Sequence, residues 1–356
     1  MNVIRAIGLA ASIGFAVATP GLLSAQEFPT DEAALYEAAK KEGSVVWYVG
    51  APLAPMQAVA ADFEKQYPGI KIDVLRVVGV QQYQRFMQET TAGQYIADNL
   101  AMTDFPSMKK LIEDDHIANW RVPTADRVRS TSSIGDQAYS NYVVDVAIVY
   151  NHNNVTAEEV EILGADWSGV LDPRFKDRFA VTSLKTSITA AGLNMFLDPA
   201  LSEKFGEKYL KAVADQRPAV YSDSQVALDR VVAGEHDFMF MSFEAAAIPR
   251  FNQGAPLRWV RPAPTPLFDS TWLAVSKYAP HPSAARLYQN WLMSDAGAQA
   301  IQTHYGAKST LDGTEDNRPV LKEDWYRPIT EEYNVDYERW ERSFYDDFEI
   351  WLNLIK

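Results

Sequence analysis

Cysteine is absent from the 356 residues of this chain. Its absence excludes disulfides, a zinc ribbon, an iron–sulfur site, a thiol nucleophile and a lipid-bearing cysteine behind an N-terminal leader. Histidine is scarce: His116, His152, His236, His281 and His304 are all there are, and none stands four residues from another, so there is no helical metal pair. Basic residues are outnumbered, 33 Lys and Arg against 47 Asp and Glu, for a net charge of −14. That balance argues against nucleic acid or anionic lipid as the main partner. There is no Gly-x-Ser-x-Gly elbow, no phosphate loop ending in Gly-Lys-Ser/Thr, and no Gly-x-Gly-x-x-Gly after a strand. The paired carboxylates Asp114-Asp115, Glu331-Glu332 and Asp346-Asp347 lie in polar stretches and read as solvated charge. Past the N-terminus no run is apolar enough, for long enough, to cross a bilayer.

What is present begins with the N-terminus. Arg5 precedes an apolar run from Ala6 to Val17, Thr19-Pro20-Gly21 breaks it, and Leu23-Ser24-Ala25 ends in a small residue. This is the layout of a signal peptide over residues 1–25, cleaved after Ala25, and it is too short for a span of roughly 20 residues. The remainder, in a chain 47% hydrophobic and 12% aromatic, is ample for about two domains.

From Thr30 onward the pattern alternates helix and strand. Asp31–Lys41 is helical with Thr30 as its expected cap and Gly43 as its stop; Ser44–Val49 is a β-branched and aromatic strand. Pro55–Tyr67, Ile70–Val78, Val80–Ala92 and Ala97–Met102 continue as helix, strand, helix and strand. Such a series builds a mostly parallel sheet covered on both faces, with ligands outside the carboxyl ends of the strands. A second series comes after it: a nine-residue strand candidate at Tyr142–Tyr150, a strand at Phe179–Ser183, helices to Phe196 and over Ser224–Ala233, and a buried strand at Phe238–Met241. Pro262, Pro264 and Pro266 then favour an extended, stiff crossing over a core strand. In the acidic tail, Tyr337, Trp340, Phe344, Phe348, Trp351 and Ile355 recur at helical spacing, which reads as a core-packing C-terminal helix.

Several segments together resemble the extracellular solute-binding proteins of ABC importers, in the branch holding ferric-iron, thiamine, polyamine and phosphonate binders. They are Glu42–Tyr48, Phe63–Lys71, Ile148–Asn151, Asp172–Asp177, Ala279–Ala285 and Trp291–Gly297, within a match from about Ala33 to Leu311. The resemblance implies an α/β, type II two-lobe fold with a ligand cleft between the lobes. Expected lobes are residues 26–141 plus about 265–300, and 142–264 plus about 301–356, with crossings at Tyr142–Tyr150 and Arg261–Trp272. It further implies a monomeric periplasmic protein that is no enzyme and carries no cofactor. Such a protein closes on a small polar or organic solute and delivers it to an inner-membrane ABC permease.

The strand-end rule places Gly50, Ala51, Asp104, Thr186, Ser187, Ser242, Phe243 and Glu244 in the cleft, with Trp272 closing over the ligand. Thr186 and Ser187 open a helix, so they either hold an anionic group or simply cap it. Trp47 and Tyr48 offer either a cation–π face or strand core. The ferric binders carry adjacent tyrosines where this chain has Ser242-Phe243, and without phenolates a hard Fe(III) ion loses its anionic oxygens. Iron is therefore the weaker alternative, with no metal ligands assigned. A secreted enzyme with catalytic carboxylates brought from distant positions is another.

Overall fold

The structure, a computed structural model, describes residues 28–183 and 185–356. The signal peptide read at 1–25 lies outside the described residues. Three sheets organise the rest.

The first sheet has six strands in the order Lys71–Arg76, Ser44–Val49, Asn99–Met102, Trp272–Val275, Ala138–Tyr139, Ser133–Ile134. Its first three run parallel, joined by the crossover helices Leu53–Gln66 and Val80–Thr91, as the βαβ reading requires. Asp31, not Thr30, caps the first helix, Glu32–Glu42: its carboxylate accepts from the Ala34 amide at 2.9 Å, and Gly43 ends the helix in the left-handed region at φ 78°. Trp47 and Tyr48 are strand core, 2% and 0% exposed, and the Tyr48 ring takes the Arg85 guanidinium at 5.0 Å. Trp47, Phe63 and Trp291 surround Tyr288 with ring centroids 5.2, 4.8 and 6.1 Å away, which ties the helix Pro282–Leu292 to this sheet.

The second sheet has five strands in the order Leu257–Val260, Ala147–Asn151, Phe238–Ser242, Phe179–Thr182, Ala219–Tyr221. One face carries the helices Ser187–Phe196 and Glu207–Asp215 over an aromatic core of Trp167, Phe196, Phe205, Tyr209 and Phe240. The other carries Ser224–Val232 and Glu244–Asn252.

A third, four-stranded sheet joins the two, in the order Lys308–Ser309, Tyr142–Asp145, Thr265–Asp269, Glu332–Asn334. The run expected as one strand over Tyr142–Tyr150 is two, broken at Val146: its first half belongs to this sheet and its second half to the five-stranded sheet. The proline-rich passage also differs from expectation. Thr265–Asp269 is fully buried and central in its sheet. Pro266 is tolerated because its carbonyl still accepts from the Val146 amide at 2.9 Å, so only the donor is lost. The fold is the expected type II two-lobe arrangement. The C-terminal helix, Tyr337–Leu354, buries Trp340, Phe348 and Trp351.

Candidate ligand-binding site

The carboxyl ends of strands from both lobes converge. Gly50, at the end of Ser44–Val49, donates its amide to Ala101 O at 3.1 Å. A Cβ there would stand 2.7 Å from Thr103 Cγ2, so any larger residue requires the Thr103 side chain to give way. The buried Ala51 presents its carbonyl to Arg76 Nε at 3.2 Å. Across the gap, Ser187 Oγ donates to Thr103 O at 3.1 Å, a direct bond from the helix on the five-stranded sheet to the end of a strand in the six-stranded one. The two sheets therefore come into direct contact at this point.

Other predicted residues are engaged locally. Asp104 caps the helix Phe105–Glu113, accepting from the amide of Ser107 at 3.2 Å and from its hydroxyl. Thr186 caps Ser187–Phe196, its hydroxyl accepting from Thr189 N at 3.3 Å. The capping alternative thus holds for Thr186, while the hydroxyl of Ser187 turns to the other lobe.

The strand Phe238–Ser242 carries a bulge against Ala147–Asn151, and within it Met241 sits at φ 54°. An extra residue in one strand re-aims the residues after it. Here those are Ser242, Phe243 and Glu244. Gly192 makes room for the bulge, since a Cβ there would lie 2.7 Å from Met241 Sδ. Ser242 is buried and Phe243 packs between the two main apolar clusters.

Glu244, only 3% exposed, is the centre of a charge network. Arg318 reaches its Oε1 at 2.6 Å and Arg261 its Oε2 at 2.7 Å. Burial, and after it the Asp145 carboxylate, push the Glu244 carboxyl up to about 7, against the pull of Arg318 and Arg261. Arg318 is also held by Asp316 through two bonds of 2.8 Å, and the Tyr326 hydroxyl receives Arg261 at 3.0 Å. The network lines a cavity of about 170 Å³ against the four-stranded sheet. Sequence reasoning found Glu244 but missed Asp145, Arg261, Arg318 and Tyr326. Arg261 adjoins the proline-rich passage and Arg318 lies in the tail, and nothing local marks either as a site residue.

Trp272 is 1% exposed. Its ring lies 5.2 Å from Phe105 and 5.5 Å from Tyr337, so the C-terminal helix covers it. The Tyr337 hydroxyl accepts from the Asp269 amide at 2.5 Å and donates to Asp269 Oδ2 at 3.0 Å. Among the described residues no group of three or more His, Cys, Asp or Glu is placed to hold a metal ion, and no helix is long and apolar enough to cross a membrane.

A family model described as bacterial extracellular solute-binding protein matches residues 45–307. No curated protein sequence matches the chain significantly. Among solved structures, iron-bound HitA from Pseudomonas aeruginosa is similar with a TM-score of 0.69 at 14% identity, over 87% of this chain and 99% of that one. The substrate-binding protein of an ABC transporter from Agrobacterium tumefaciens gives 0.68 at 19%, over 86% and 94%. AfuA from Actinobacillus pleuropneumoniae, with fructose-6-phosphate bound, gives 0.66 at 18%, over 88% and 98%. At these identities the likeness is one of fold.

Proposed function

Because the chain belongs to the bacterial extracellular solute-binding protein family, we propose that it captures a small polar or organic solute in the periplasm by hinge closure and hands it to an ABC permease. The observation that carries this reading is the bond from Ser187 to Thr103 across the lobes; of the proposed cleft residues, Glu244 alone lines the cavity of about 170 Å³. Contacts that exist only when the lobes meet let a solute shift the population towards the closed form. We place the crossings between lobes at Tyr142–Tyr150 and Arg261–Trp272, where the chain passes through the four-stranded sheet. Gly50, Ala51, Asp104, Thr186, Ser187, Ser242, Phe243, Glu244 and Trp272 are the proposed rim and floor of the cleft, with Trp272 acting through Phe105 and Tyr337 rather than by direct contact.

A thermal-shift screen over amines, carboxylates, phosphonates, sugar phosphates and metals tests the proposal. A solute at a hundred times its dissociation constant stabilises by about 2.7 kcal/mol, a shift of several degrees. A shift with Fe(III) alone would overturn the organic-solute reading. Turnover of a bound solute by the purified protein would overturn the receptor reading.

A further inference from the structure

We infer that the cavity beside Glu244 receives a small primary amine with a short apolar body, its ammonium bound by the Asp145 carboxylate, an inference that rests on the solute-capture reading above. Asp145 ends the strand Tyr142–Asp145 and lines the cavity with its side chain 8% exposed. Its Oδ2 accepts no hydrogen bond, and the nearest cation, Arg261 Nη1, is 3.8 Å away. An acidic oxygen buried without a donor is costly, and native proteins rarely leave one so. The two arginines of the wall already have partners, and the third cation there, Lys308, is exposed. Arg318 spends its guanidinium on Asp316, Glu244 and the Gly306 carbonyl, and Arg261 spends Nη1 on Glu244 and Tyr326.

An anionic ligand would have to displace carboxylates from these arginines. A cationic donor would instead answer the buried oxygen of Asp145 that has no hydrogen-bond partner. The rest of the wall is apolar, from Val143, Leu267, Leu321 and Ile329. At about 170 Å³ the space is slightly larger than a cavity of ~150 Å³ that accepts benzene, which suits a ligand of roughly six to eight heavy atoms. Lys308 and Glu332, both exposed, complete the lining on the solvent side.

The experiment is calorimetric titration of the full chain with n-pentylamine, 1-pentanol and pentanoate, three probes of one shape and different charge. The expected result is pentylamine binding at least tenfold tighter than the alcohol and no binding of pentanoate. Asp145→Asn, which keeps the side-chain shape, should weaken pentylamine at least tenfold. Alcohol or carboxylate binding as tightly as the amine would overturn the inference from the wild-type protein alone, whether or not the variant folds. So would undiminished amine binding by a folded Asp145→Asn. If none of the three binds while another solute raises the melting temperature, the amine assignment falls and solute capture stands. If no solute of the wider screen binds either, both fall.

Discussion

Two positions show how single residues set this site. Gly50 matters for what it lacks. Its Cβ position is 2.7 Å from Thr103 Cγ2, and Thr103 carries the carbonyl that Ser187 reaches. Gly50→Ala should destabilise by about 1–3 kcal/mol, the usual cost of overpacking a tight site. Thr103→Ser removes the offending methyl, so the double variant should recover most of that loss in urea denaturation. No recovery would mean that the backbone, not the methyl, resists the change. Glu244 makes a different prediction. Its carboxyl is held up at about 7, above the ordinary 4.5, chiefly by burial. Between those values the native state keeps a proton that the unfolded chain has released, so this group's contribution to stability falls as pH rises through the window. Glu244→Gln removes the titration. The stability of the wild type minus that of the variant should therefore shrink from pH 5 to pH 8, measured by chemical denaturation. A difference that grows with pH would show that Arg261 and Arg318 outweigh burial.

At the scale of elements, the C-terminal helix and the strand Trp272–Val275 work as one unit. Tyr337 lies tilted against Phe105 at 4.7 Å and meets Trp272 edge-on, and further along Trp351 Nε1 donates to Thr182 O at 3.2 Å. Both tryptophans are at most 1% exposed. Trp272→Ala and Trp351→Ala should each cost about 3–5 kcal/mol in denaturant unfolding. A near-neutral Trp272→Ala would mean that its ring is free to meet solvent or ligand. Apolar periodicity alone marked the parallel strands, their crossover helices and the C-terminal helix, because each buries one stripe or one run. It could not mark where Tyr142–Tyr150 breaks, since the residues on both sides of Val146 are equally apolar and only the partner strands differ. The proline rule misjudged Thr265–Asp269 for a related reason: Pro266 loses a donor, yet its carbonyl still has a partner in Val146. Of the site, the strand-end loops were legible from spacing. The charges around Glu244 come from residues as distant in the sequence as Asp145 and Arg318 and left no local trace.

For the whole molecule, the question is whether the lobes move. The helix Tyr337–Leu354 touches both. Lys109, in the helix Phe105–Glu113 on the six-stranded sheet, pairs with Glu341 at 2.7 Å, and Lys185, at the start of the helix on the five-stranded sheet, pairs with Glu349 at 3.2 Å. Both pairs are substantially exposed and contribute little to stability. Opening therefore has to part the aromatic contacts around Tyr337 and the Ser187–Thr103 bond, not a strong electrostatic clamp. The absence of cysteine makes this testable without background. A Thr103→Cys, Ser187→Cys pair stands where the lobes now touch, and a disulfide needs its Cα atoms within about 7 Å. If the closed form is the bound form, the pair should cross-link at least several-fold faster with a stabilising solute than without one, read on a non-reducing gel. A rate independent of solute would mean that the lobes rest closed, and that capture needs a local gate in place of a hinge.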